Sequence, residues 1–149
     1  MNKLLFSLLL LVLGGQALNA QKTETTAAPT ATNDQEIRKA TEALTAKYQL
    51  NADQAKQMYT IQARKAKNLA QIESLKSSDP ALYRAKVQNV QKGTLANIQR
   101  ILNTKDQVAL YKKTQSDLRV QRNKKQKELV GNNASREAIE NALLAIYAE

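Results

Sequence analysis

The side chains of this chain best suited to act on a partner are cationic. Lys112, Lys113, Arg119, Arg122, Lys124, Lys125 and Lys127 fall within one short stretch. Such a run attracts acidic proteins or anionic headgroups from a distance, but it breaks no bonds. Covalent chemistry has little to draw on. There is no histidine and no cysteine in the 149 residues, which removes the common general base, the common nucleophile and the usual soft metal ligands. Only four glycines occur, two of them at Gly14 and Gly15, so no phosphate-cradling loop can be built. Carboxylates are scattered among lysines and never converge as a pair. Asp53 and Asp106 recur in similar settings, but each falls in the first turn of an expected helix, where a carboxylate favours the helix dipole. No enzyme is expected, and no catalytic, cofactor or metal site.

The charge is concentrated. Residues 80–130 hold 12 basic and 3 acidic residues, whereas residues 21–79 hold 9 and 7, and residues 131–149 hold 1 and 3. A concentrated field points to an anionic partner; the alternative is a solvated helix face, the usual fate of charge runs. Tyr111 is the only aromatic residue near the run, and no DNA-reading motif is present, so nucleic acid is not an expected partner.

The elements that must present these residues follow from pattern. Lys3, the apolar run Leu4 to Leu13 and the small-residue segment up to Ala20 have the layout of a secretory signal peptide, with residues 1–20 removed. The run is too short for a membrane span. Cleavage after Ala17 and a buried N-terminal helix are the alternatives. Residues 21–32 are rich in Thr and Ala, show no apolar period and read as a disordered leader. Residues 33–149 then form a single domain. Strand signals are nearly absent and Ala, Leu, Lys, Gln and Glu dominate, which predicts an all-α chain of about five helices.

The first helix is expected from Asn33, as N-cap with Glu36, to Tyr48, with Ile37, Ala40, Leu44 and Tyr48 on its apolar stripe. The second runs from cap Asn51 to about Lys76. Ala55, Met58, Ile61, Leu69, Ile72 and Leu75 give it a narrow stripe, weakened by Lys65. After the Asp79-Pro80 cap, the third runs to about Leu102 with Tyr83, Val87, Val90, Thr94, Ile98 and Ile101 in register. The fourth starts at Asn103 or Thr104, carries Val108, Tyr111 and Leu118, and is closed by Gly131-Asn132-Asn133. The last spans about Ala134 to Ala148 and buries Ile139, Ala142, Leu143, Ile146 and Tyr147. Helices of about 25 residues are on the order of 35–40 Å long. With single stripes they make thin, elongated antiparallel hairpins, which dimerisation would help to bury.

Two segments repeat. Leu50-Asn51-Ala52-Asp53-Gln54 and Leu102-Asn103-Thr104-Lys105-Asp106-Gln107 each lie between one helix and the next, and their polar residues spell helix-start chemistry: Asn51, Asn103 and Thr104 as caps, Gln54 and Gln107 as reciprocal partners. The repeat resembles the LTxxQ motif of the Spy/CpxP family of small, exported, all-helical periplasmic proteins. Asn51 replaces the family's Thr in the first copy, and the second copy carries one extra residue. The likeness covers roughly residues 33–130. It implies a cradle-shaped, often dimeric fold and an ATP-independent holding chaperone, or an envelope-stress accessory protein, that takes unfolded or acidic clients on a basic, partly apolar face. The metal-sensing role of some relatives is not carried over, because the histidines it needs are absent. An adaptor for an envelope sensor domain or an anionic membrane surface is the second expectation. A Skp-like chaperone is a third, but it requires a small β-body for which no strand pattern exists.

Overall fold

The computed structural model describes residues 31–147, so the expected signal peptide and nearly all of the expected leader lie outside the described residues. The described chain is all-helical. Its elements are α1 (Ala31–Tyr48), α2 (Ala52–Ile72), α3 (Leu75–Ser78), α4 (Pro80–Ile101), α5 (Lys105–Gly131) and α6 (Arg136–Ala145). Antiparallel pairs α1–α2 and α2–α4 form the body; α5 packs on α1, and α6 packs on both α4 and α5. None of the described helices is long and apolar enough to cross a membrane.

Most helix boundaries follow local chemistry. Asn51 accepts from the Gln54 N–H through its side chain, and the Asn51 N–H donates back to Gln54. Thr104 and Gln107 form the same reciprocal box at α5, so Thr104, not Asn103, is the cap. Asp79 caps α4 by accepting from the Leu82 N–H at 2.9 Å, with Pro80 at the first helical position. Ser135 caps α6.

Three expectations are corrected. The first helix begins at Ala31, so Asn33 lies inside it and is no cap, and the leader ends sooner than residue 32. The second helix does not run unbroken to Lys76. The N–H groups of Glu73 and Lys76 bond three residues back, and these tightened turns separate a one-turn α3 from α2; within α3 the Ser77 and Ser78 hydroxyls both donate to the Ser74 carbonyl. Gly131-Asn132-Asn133 closes α5 as expected: Gly131 is its last residue, Asn133 is left-handed at φ 54°, and the N–H groups of Asn133 and Ala134 bond to Val130 and Leu129. The last helix starts at Arg136 rather than Ala134, and its expected core residues are only half-buried.

The end of α1 uses the same six-residue geometry. Gln49 is left-handed at φ 53°, the Leu50 N–H donates to Thr45, and that of Gln49 to Ala46. The principal core sits beside this turn. Leu44, Tyr48, Met58, Ile98, Leu102 and Tyr111 form one buried cluster, with the Tyr48 and Tyr111 rings 6.1 Å apart between centroids. Further along α2 and α4 the buried positions are largely polar: Gln62, Gln91 and Thr94. The core is therefore concentrated at one end of the molecule and thins toward the other. At its outer edge the Tyr59 hydroxyl donates to the Asp34 carboxylate, joining α1 to α2. That bond, then the one from Arg38, holds Asp34 below its ordinary pKa, and Asp34 in turn raises the Tyr59 phenol.

Candidate functional site

The two repeats meet in space. Each begins with a leucine packed on the core: Leu50 is half-buried and Leu102 buried. Each then starts a helix whose third residue is a glutamine aimed inward, four residues before a buried core side chain, Met58 in one copy and Tyr111 in the other. This spacing places both glutamines on buried helix faces. They pair there, each amide N–H₂ donating to the other's carbonyl oxygen at 2.9 Å.

The remaining bonds are nearly symmetric. Gln54 donates to the Ile101 carbonyl at 2.6 Å and Gln107 donates to the Gln49 carbonyl at 3.1 Å. These are the residues that precede the motif leucines. Asn103, which caps no helix, accepts from Gln54 at 3.2 Å and donates its N–H to Gln107 at 3.1 Å. Gln54 and Gln107 are 3% and 5% exposed, so this network lies in the interior, where a satisfied amide pair specifies one register. The glutamines are thus more than helix-start residues: they clasp the ends of α1, α2, α4 and α5. Sequence reasoning credited them to their own helices alone. The signal that marks them is their place on the apolar stripe, since a buried amide four residues before a core side chain must find a distant partner.

The cationic residues divide. At roughly 100° per residue, Lys112, Lys113, Arg119, Lys124 and Lys127 share an arc of roughly 140° on the outward side of α5. All five are exposed. Arg122 and Lys125 lie on the opposite side with Tyr111, Leu118 and Leu129, and are half-buried. Lys113 pairs with Asp117 at 2.8 Å and Lys125 with Glu128 at 2.9 Å. Exposed pairs of this kind contribute little to stability. Among the described residues, Lys112, Arg119, Lys124 and Lys127 make no ion pair, which leaves their charge to the solvent.

Apolar surface is interspersed with that charge. Val120 is 64% and Val130 56% exposed on the same outward side. Where α5 begins, an open groove of about 440 Å³ has Leu102, Val108 and Ala109 as its floor and Lys105 and Lys112 at its rim. No group of three or more carboxylates among the described residues is arranged to hold a metal ion. Compared with protein-family models, curated proteins and solved structures, the chain matches none.

Proposed function

We propose that this chain is an exported, periplasmic, ATP-independent holding chaperone or envelope-stress accessory protein of Spy/CpxP type. It binds unfolded, acidic client segments along the outward side of α5. The observation that carries the reading is the mixture on that side: unpaired Lys112, Arg119, Lys124 and Lys127 alternate with exposed Val120 and Val130 and lead into the groove over Leu102 and Val108. Charge supplies long-range capture. Small apolar patches and lysine stems supply contact without a tight pocket, which suits clients that differ in sequence. The rigid clasp keeps α5 oriented while its outer side stays free.

The test is suppression of aggregation of an unfolding acidic client, without ATP, at low and moderate salt. Suppression that weakens as salt rises is expected, because exposed charges are screened within about 8 Å at physiological ionic strength. Replacing Lys112, Lys113, Lys124 and Lys127 by Gln is expected to remove most of it. No suppression by the wild-type chain at several-fold molar excess contradicts the proposal. The same outward charge also favours a second reading, an adaptor for an envelope sensor domain or an anionic membrane surface. Capture of one defined partner, abolished by the same substitutions and without activity on unfolding clients, distinguishes it.

A further inference from the structure

We propose that α6 is a displaceable strap, and that the wedge it occupies between α4 and α5 is a second site for an acidic, amphipathic client segment. The inference rests on the chaperone reading above for the identity of the occupant, but the strap itself stands on separate observations.

The first is complementarity. Residues 131–149 hold one basic and three acidic residues, and α6 within them lies against α4 and α5 of the most basic stretch, residues 80–130. Arg84 of α4, with 14% of its side chain exposed, pairs with Glu137 at 2.9 Å and Glu140 at 3.1 Å. The Arg122 guanidinium lies 3.7 Å from the centre of the Tyr147 ring. Gln91 donates to the Leu144 carbonyl at 3.1 Å.

The second is poor fit. No α6 residue is fully buried. Beside Leu143, Leu144 and Tyr147 a space of about 440 Å³ remains open toward Arg119, Arg122 and Gln126 of α5. Gln91 Oε1 and Arg122 Nη1 are buried without a protein partner, although Gln91 is only 7% exposed. A carboxylate or amide oxygen of an occupant would accept from the Arg122 N–H, whereas Gln91 Oε1 requires a donor such as an amide N–H. Well-adapted interiors do not leave such groups unmatched.

The third is size. With 10 residues, α6 is too short to persist as an isolated helix. It is ordered only while docked, so release and unfolding are one step. The features of α6 then describe its competitor: Leu, Ile or Tyr at helical spacing, with carboxylates three residues apart on one flank, as in Glu137 and Glu140.

The test uses the full chain carrying Leu143→Asp and Leu144→Asp, which alter the strap and leave the wedge intact. A second variant, Glu137→Lys with Glu140→Lys, releases α6 by charge and guards against misfolding of the first. The probe is a fluorescent peptide of wild-type residues 132–149. Both variants are expected to show faster hydrogen exchange in α6 and to bind the peptide at least tenfold tighter than the wild type, whose own strap competes at high effective concentration. Unfolding client added in excess should displace the peptide. Unchanged α6 exchange in both variants, or released α6 with no peptide binding, overturns the proposal. Peptide binding without suppression of client aggregation overturns the holding function and leaves the strap in place.

Discussion

The clasp and the wedge are built from similar residues with opposite results. At the clasp, Gln54 and Gln107 are buried and every amide group is matched, including the carbonyls of Gln49 and Ile101. In the wedge, Gln91 is nearly as buried but leaves its carbonyl oxygen unpartnered, and an arginine does the same with one nitrogen. Tyr48, Met58 and Ile98 beside the clasp are fully enclosed, whereas Ile139 and Leu143 of α6, and Tyr147 just after it, stay half-buried. The amide clasp is therefore specified by complete satisfaction of its own polar groups, although Thr45 Oγ1 in the last turn of α1 is also buried without a partner. The wedge is held by side chains that a competing segment can replace. Buried polar residues lend rigidity only where they are fully matched.

The largest effect that sharpens this contrast is a cavity at the clasp end. Ile98→Ala is expected to destabilise the chain by about 3–4 kcal/mol in urea unfolding, because the side chain is fully enclosed. Leu143→Ala in the wedge should cost only about 1 kcal/mol, as a half-buried leucine loses less. Equal losses would erase the distinction between the two ends.

Next in size is the amide pair. Gln54→Ala and Gln107→Ala are each expected to cost about 2 kcal/mol by stranding buried partners. The double variant should fall short of the sum by about 1 kcal/mol or more. Additivity would mean that the glutamines act only within their own helices.

That cross-chain pairing marks the limit of what was legible in the sequence. The all-helical class, the two capping boxes and the Asp79-Pro80 start were readable because each depends on residues within one turn. The pairing of Gln54 with Gln107 joins positions 53 apart and leaves no local trace except their place on the apolar stripe. The break before α3 escaped because N–H groups that bond three residues back leave no mark on a run of ordinary helix residues. The end of α5 was readable in Gly131-Asn132-Asn133, although it is Asn133 that adopts the left-handed conformation. For the site, the cationic run was visible, but not that Arg122 and Lys125 turn inward. Nor was it visible that the terminal helix docks on the basic region, which is a matter of tertiary packing.

A smaller effect probes the backbone of the clasp. Gln49 holds φ 53° and contributes only its carbonyl to the network. Gln49→Gly keeps that carbonyl and relieves the left-handed strain, so it should stabilise by about 1 kcal/mol. Gly93→Ala should gain a similar amount in mid-helix, since an added Cβ meets nothing within 4 Å.

The smallest effect is electrostatic and present at both ends. Bonds from Tyr59 and Arg38 lower the Asp34 pKa, and bonds from Arg136 and Arg84 lower that of Glu140. A carboxylate with a depressed folded-state pKa adds stability above its unfolded pKa and loses it as pH falls through the folded value. The melting-temperature advantage of wild type over Asp34→Asn should therefore be modest at pH 6 and vanish in strong acid. Both sites are surface pairs, so high salt should shrink the advantage as well.

Native-state hydrogen exchange of the full wild-type chain, read residue by residue, tests most directly whether the ends differ as described. Amides around Met58, Ile98 and Tyr111 are expected to exchange only through global unfolding, and those of α6 through a local opening of much lower free energy. Exchange of α6 at the same free energy as the clasp would show one cooperative unit and contradict the account.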